Sequence, residues 1–367
     1  MNCLYFPPEV GGLESHVHTL CRELARRGHA VAMVTSRSRP GLARRESMDG
    51  IEVRRVWMPS RTPSGWALHA AASAPAHYRR AAAADVLHAQ TFAMAPPAWP
   101  GAWRYRRPLV LTLHTSHFLV RAKRPLWRPV LRRIIASADF LLAASREILD
   151  VALELHAHPR AEALLNAVDT DEFRPPSVPA ARPARPRIVV PRRLFPKNGV
   201  EYFVRALPAV ASRIEVEALV VGDGPERARL ERLAGELGVN DRLSFLGARA
   251  HAEMPEILSS ADLVVVPSLM EASSVAALEA MACGVPVAAS RVGGLPEIVD
   301  DSVGALFEPA NPGALAEAVR NLLSDREALG RRGAAARRRV VERFSLTRLA
   351  DRHLEIYQEL IERRGQS

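Results

Sequence analysis

The chain has 367 residues and a mass of 40.2 kDa, enough for two domains at about 100–200 residues each. Apolar residues make up 48% and charged residues 25%, proportions that exclude a disordered chain, a collagen-like chain and a small disulfide scaffold. The formal charge of +10 is lopsided: residues 1–174 hold 24 Lys/Arg against 15 Asp/Glu, and residues 175–367 hold 26 against 25.

The three cysteines, Cys3, Cys21 and Cys283, are scattered and lack CxxC spacing, so neither a disulfide framework nor a zinc site is indicated. No apolar run approaches the ~20 residues a membrane span needs. The start MNCLYFPPE lacks a basic region followed by an apolar stretch, so it does not read as a signal peptide. A reducing, cytoplasmic protein is expected.

In chain order, strands are predicted over Cys3–Phe6, Ala30–Thr35, Ile51–Trp57, Val86–Ala89, Leu109–Leu113, Phe140–Ala143 and Ala163–Leu165. The spacing predicts a helix over Glu14–Arg27, stopped by Gly28, and an Ala-rich helix over Ala70–Ala84. The densest basic run is Arg121, Lys123, Arg124, Arg128, Arg132 and Arg133, interleaved with Leu126, Trp127, Val130, Leu131, Ile134 and Ile135. It reads either as a solvated helix face over an ordinary core stripe or as a basic amphipathic helix lying on an anionic membrane surface. No zinc finger, RNP-like aromatic motif or recognition helix accompanies it, so nucleic acid is not the expected partner.

Arg174–Arg187 (RPPSVPAARPARPR) holds five prolines and reads as a semi-rigid linker. Beyond it, strands are predicted over Arg187–Val190, Glu217–Val221, Leu243–Phe245, Leu263–Val266, Val287–Ala289 and Ala305–Phe307. Strand–helix alternation with apolar, β-branched strands means parallel sheets covered by helices. The expected fold class is α/β, with two Rossmann-like domains facing across a cleft. Their expected bounds are 1–174 and 188–344, joined by a linker over 175–187. A last amphipathic helix over 345–367 carries Leu346, Leu349, Leu354, Ile356, Tyr357, Leu360 and Ile361.

The most informative segment is Asp262–Glu297, DLVVVPSLMEASSVAALEAMACGVPVAASRVGGLPE. A buried strand ends at Pro267, a loop carries Glu271, and a helix begins near Ser273 or Ser274, either of which can cap it. Ligands of open α/β sheets bind at the carboxyl ends of strands, and a helix start there offers N–H groups and a positive dipole end to an anion. Glu271 and Glu279 would repel a phosphate at that start. They are better suited to accept hydrogen bonds from sugar or ribose hydroxyls.

Other segments add weaker signals. Gly11 and Gly12 permit a close backbone approach and positive φ, or simply a tight strand-to-helix turn. His114 ends a strand, where its imidazole suits a sugar or acceptor contact as well as a structural role; His117 is a second candidate. Asp169-Thr-Asp171 reads as a structural turn before the linker, not a metal site. Gly222-Asp-Gly224 lacks the third glycine of a dinucleotide fingerprint.

Glu271, seven residues, and then Glu279-Ala-Met-Ala-Cys-Gly-Val-Pro-Val resembles the signature of family 4 retaining glycosyltransferases, which have the GT-B fold. FPPEVGGLESHVHTLCRELARRGHAVAMVTS, LTLHT, LLNAVDTDEF, RRLFPKNGVEYFVRAL and VVGDGPERARLERLAGELGVNDRLSFLG resemble further segments of that family in the same order. The resemblance implies transfer of a sugar from a nucleotide-diphosphate sugar, with no cofactor and no metal. It implies that Glu279 binds the ribose, Glu271 the donor sugar, and the amides of Ser274, Val275 and Ala276 the diphosphate, with Ser273 beside them. Arg193 and Lys197 are the implied diphosphate cations, and Arg249 lies in the loop expected to meet the base.

Against the family's commonest pattern, Gly-Arg-Leu-x-x-x-Lys-Gly, Arg192 replaces the first Gly and Asn198 falls where the Lys usually sits. Leu346 likewise replaces a usual Trp. The final helix is expected to cross back to the first domain. The surplus charge of residues 1–174 leads to the expectation of a saccharide or glycolipid acceptor, the latter at the inner face of a membrane. A nucleotide-sugar epimerase of the same fold and a catalytically silent nucleotide-sugar scaffold are the alternatives.

Overall fold

The computed structural model describes residues 1–9, 11–114, 116–177 and 185–366, with Ser116 as backbone only. Val10 of the Gly-Gly loop, Thr115 beside His114, and 178–184 of the Pro-rich segment lie outside the described residues. The chain divides into two compact units, Met1–Asn166 with Leu346–Ser367, and Ala167–Ser345.

The first unit holds β1 (Val31–Arg37), β2 (Arg45–Met48), β3 (Ile51–Trp57), β4 (Leu87–Ala89), β5 (Leu109–Leu113), β6 (Phe140–Ala143) and β7 (Ala161–Ala163). They pair in the orders β1-β3-β2 and β4-β5-β6-β7. All neighbours are parallel except β2 and β3. The strand expected over Cys3–Phe6 is a correction: only Asn2 bridges, on one side to Val34 and on the other to Ala89. Its amide donates to the His88 carbonyl and the Gln90 amide to its own carbonyl, so this short segment stitches the two groups of strands together. Backbone bonds to β1 continue as far as Leu4, through Cys3 N to the Val34 carbonyl and Ser36 N to the Leu4 carbonyl, before the chain reaches Pro7 and Pro8, which have no N–H to donate.

The last strand of the unit lies two residues earlier than expected, and β2 was not anticipated: RESM has neither β-branched residues nor a buried face. The first helix runs Gly12–Arg26. The Ala-rich helix begins at Pro63, capped by the Thr62 hydroxyl, and ends at Ala81.

The basic run is also not one helix. A helix over Ser116–Ala122 gives way to a turn at Pro125–Trp127, and a second helix spans Arg128–Ala136. Pro125 and Pro129 each suit the first turn of a new helix and neither suits a helix interior. The apolar stripe splits accordingly. Leu131, Ile134 and Ile135 are buried, whereas Leu126 is 90% exposed and Val120 and Val130 are also exposed. Lys123, Arg124, Arg128 and Arg133 are exposed beside them. Arg121 covers the Trp127 ring at 4.6 Å, and Arg132 Nε donates to the Leu155 carbonyl at 2.9 Å, tying its helix to the next.

The last helix, Leu346–Gly365, is part of the first unit. Ile356 and Leu360 pack on Val110, Phe140 and Leu142 of the sheet. Arg352 pairs with Glu162 and Arg364 with Asp139, at 2.7 and 2.8 Å.

The second unit is a single six-stranded parallel sheet. Its strands are β8 (Arg187–Pro191), β9 (Glu217–Val221), β10 (Leu243–Gly247), β11 (Leu263–Val266), β12 (Val287–Ser290) and β13 (Gly304–Phe307), in the order β10-β9-β8-β11-β12-β13. That is the doubly-wound order, whose direction reverses between the first and fourth strands, here β8 and β11. Ile188, Val190, Phe203, Leu207, Val220, Val265 and Leu315 lie in its buried core. The unit begins at Ala167 because the turn after it packs here: Val168 bridges Ser345, and Arg337 donates to the Thr170 and Phe173 carbonyls. Asp169 Oδ1 accepts from the Asp171 and Glu172 amides, so Asp169-Thr-Asp171 is a closed turn.

The first unit also buries a chain of histidines. His114 Nε2 lies 2.7 Å from Gln90 Oε1; His88 meets the Tyr357 hydroxyl and Thr112, each at 2.6 Å. Burial lowers His16 and His88 well below the usual value, His114 to about 3 and His353 to about 4. All are therefore neutral when folded. A depressed folded pKa gives stability that is present above the unfolded pKa near 6.5 and is lost as pH falls from there towards 3–4. At pH 5 His114 and His353 each cost about 2 kcal/mol of folding free energy. Thermal melting should therefore drop steeply between pH 7 and pH 5, and His353→Gln should flatten that dependence.

Candidate active site in the second unit

The loops that leave the sheet at its switch point are tied to one another by backbone. After β8 runs Arg192–Gly199; after β11 runs Pro267–Ser274. The Leu269 amide donates to the Lys197 carbonyl at 2.8 Å. The loop after β9 joins through Leu194 N to the Asp223 carbonyl, and the loop after β12 through Gly294 N to the Ala272 carbonyl, at 2.9 and 3.0 Å. Glycine is required at several of these crossings, Gly293 and Gly222 among them. Gly293 has φ +53, and a β-carbon there would run into the Glu271 carbonyl. Gly222 has φ +147, and a β-carbon there would strike the Arg192 carbonyl. Both are left-handed or near-extended positive φ values that side chains disfavour.

The helix expected near Ser273 or Ser274 spans Val275–Ala282, and the cap is Ser274, whose hydroxyl accepts from the Ala277 amide at 3.3 Å. Ser273 is buried beside it. The first turn of any helix has amides with no intrahelical acceptor, and the dipole makes that end attractive to an anion. The amides of Ser274, Val275 and Ala276 belong to this turn.

Each of the two glutamates that bracket this start is held by a cation from another loop. Glu271 pairs with the Arg192 guanidinium, which also donates to the Ser268 hydroxyl. Glu279 lies about one turn along the helix, nearly buried, 3.0 Å from His251 Nε2. The other ring nitrogen of His251 faces Glu172 at 3.4 Å, and Phe173 packs edge-on against the ring. Hydrogen bonds to Glu172 and then Glu279 raise His251 to about 10, while burial pushes Glu279 up.

The other expected residues are placed as follows. Arg193 and Lys197 are exposed on the loop after β8, Arg193 lying over the Phe195 ring at 5.8 Å. Asn198 is buried and its amide donates to the Arg193 carbonyl at 2.6 Å. Arg249 is exposed after β10 and lies 3.6 Å from Glu253. Gly11, Gly12, His114 and His117 belong to the first unit. Gly11 caps the first helix at φ 177, which is extended backbone, so the positive φ expected of that loop is not used. His114 is buried and neutral at the end of β5, and the exposed His117 stands 6.1 Å from the Trp66 ring. Two residues that sequence reasoning did not assign, Arg192 and His251, are the ones that touch the glutamates. The doubled arginine of Arg192-Arg193 was a visible signal for the first; a lone histidine in ARAHAEM was none for the second.

Among the described residues, no group of three or more His, Cys, Asp or Glu side chains is arranged to hold a metal ion.

The model for glycosyl transferases group 1 matches residues 175–339, and that for glycosyltransferase family 4 matches residues 10–172. The GDP-mannose-dependent alpha-(1-6)-phosphatidylinositol monomannoside mannosyltransferase of Mycolicibacterium smegmatis is 31% identical over 90% of this chain and 91% of its own length. The chain belongs to glycosyltransferase family 4. The D-inositol 3-phosphate glycosyltransferase of Salinispora tropica is 33% identical over 76% of this chain, and the match spans 64% of that longer protein. In structure, the family member resembles sucrose-phosphate synthase from Thermosynechococcus elongatus (TM-score 0.85, 24% identity, 98% and 96% of the two chains). It also resembles Anabaena HepE in complex with UDP and glucose (TM-score 0.78, 19% identity, 98% and 100%). The fold is GT-B, and the glycosyltransferase is an enzyme whose two halves match the two family models in order.

A histidine whose folded pKa is raised keeps its proton below that value. In an NMR titration His251 should remain imidazolium at pH 8, while His114 stays neutral at pH 5. Glu279→Gln should bring the His251 titration down towards the ordinary range.

Proposed function

We propose that this glycosyltransferase moves a sugar, with retention at the anomeric carbon and without a metal ion, from a nucleotide-diphosphate sugar to a saccharide or glycolipid acceptor. The observation that carries this reading is the pair Glu271 and Glu279 on either side of the Ser274-capped helix start, at the switch point of the second sheet. Oriented amides favour a diphosphate there, and carboxylates that would repel phosphate accept hydrogen bonds from hydroxyls. In this reading the amides of Ser274, Val275 and Ala276 meet the diphosphate, Glu279 the ribose and Glu271 the donor sugar. Arg249 lies in the loop that meets the base.

In the transfer, the bond from the anomeric carbon to the diphosphate oxygen breaks and its electron pair stays on that oxygen. The acceptor hydroxyl oxygen forms the new bond on the same face, and its proton passes to the departing phosphate. Arg193 and Lys197 offset the charge that develops on the diphosphate, the task a divalent cation performs in metal-dependent transfer. His114, neutral and oriented by Gln90, offers a hydrogen bond to the acceptor and no positive charge.

Glu271→Ala and Glu279→Ala should each lower transfer at least about a hundredfold, since each removes several hydrogen bonds to a charged group; a radiolabelled-donor assay reads this. A thermal-shift screen of nucleoside diphosphates and their sugars should raise the melting point for the cognate base.

The acceptor is proposed to be lipid-linked, at the inner, cytoplasmic surface of a membrane. The surplus charge of residues 1–174 and the exposed Val120, Leu126 and Val130 among Lys123, Arg124, Arg128 and Arg133 support this. Apolar side chains rimmed by cations suit an anionic headgroup layer. The name of the Mycolicibacterium relative, with its phosphatidylinositol-linked acceptor, supports it too. Among the described residues no helix is long and apolar enough to cross a membrane. The chain should float with anionic but not with zwitterionic liposomes. Replacing Lys123, Arg124, Arg128 and Arg133 by Gln should abolish flotation without changing the melting point.

A further inference from the structure

Two departures from the family pattern fall in one loop, and the structure relates them. Asn198 stands where a lysine is usual, and it is turned into the loop to brace the Arg193 carbonyl, so that position supplies no cation. Arg192 stands where a glycine is usual. Its side chain is only 10% exposed, and it lies against Ser268 and Glu271. Only one of its terminal nitrogens is so engaged, and its Nε is buried with no hydrogen-bond partner among the described residues.

A buried guanidinium N–H without an acceptor is costly, and its planar fork fits two oxygens of one phosphate. An acceptor oxygen of a bound ligand would satisfy it. Glu271 is the residue on which Arg192 rests, and under the reading above it is also the one that takes the donor's hydroxyls. Binding of a donor therefore offers each partner a replacement: hydroxyls for the carboxylate, phosphate oxygens for the guanidinium.

We propose that Arg192 is a catalytic residue that contacts the diphosphate of the donor, a cation beside Arg193 and Lys197 that stands six positions before the uncharged Asn198 on the same loop. It rests on the donor-site reading of "Proposed function". When the anomeric bond breaks and its electron pair stays on the phosphate oxygen, Arg192 stabilises that charge together with Arg193 and Lys197.

The test compares binding of nucleoside diphosphates and monophosphates (UDP, GDP and ADP against UMP, GMP and AMP) by calorimetry on the full chain. Arg192→Met should weaken the preferred diphosphate roughly ten- to a hundredfold and leave its monophosphate within about twofold, which also reports an intact fold. Arg192→Lys, which keeps the charge and loses the fork, should recover only part of the diphosphate affinity lost in Arg192→Met. Arg192→Gly combined with Asn198→Lys, which reinstates the family pattern, should recover it. Wild-type diphosphate affinity in Arg192→Met would overturn the proposal, as would equal loss of diphosphate and monophosphate. Failure of the unaltered chain to bind any nucleotide would instead remove the donor-site reading itself, and this inference with it.

Discussion

The candidate site depends on carboxylates that are paired before any ligand arrives. Glu271 and Glu279 sit beside a helix start, with little contact with solvent, where an isolated charge would be expensive. Each is offset by a cation delivered from a different loop: Arg192 from the loop after β8, His251 from the loop after β10. These side-chain pairs and the backbone bonds that join the loops after β8, β9, β11 and β12 are one device. They hold the ends of separate strands in a fixed constellation, which is what an electrostatic site needs in order to act without reorganising.

Much of this was legible in the sequence. The apolar runs of the second half marked its strands to within a residue or two, because buried parallel strands read as continuous hydrophobic segments. Ser273-Ser274 before an apolar helix marked the cap, and the spacing of Glu271 and Glu279 marked the bracket around it. The misses have physical causes. At Asn2 the chain only bridges β1 and β4 and forms no strand of its own, so the apolar run after it misled. β2 pairs on an edge with polar residues that carry no strand signal. The basic run was read as one amphipathic helix because its charge and apolar spacing outweighed Pro125 and Pro129, which break it. His251 reaches Glu279 from 28 residues away, and no local pattern encodes such a contact.

The two units treat histidine in opposite ways. In the first, desolvation strips the proton from a row of buried rings, which then serve as neutral hydrogen-bonding groups beside Gln90, Thr112 and Tyr357. In the second, flanking carboxylates hold a proton on His251. The same side chain is a neutral spacer in one environment and a fixed cation in the other, and the difference lies in what it faces rather than in its neighbours along the chain.

The final helix adds a constraint of timing. Ile356 and Leu360 complete a core whose other members, Val110, Phe140 and Leu142, are made more than 200 residues earlier. During synthesis that earlier sheet must wait, one flank uncovered, until Ile356 and Leu360 have left the ribosome. The intervening unit has its own core and can fold in the interval. A chain stalled or clipped shortly before Leu346 would therefore carry a finished second half and an unfinished first, the species most exposed to aggregation and proteolysis.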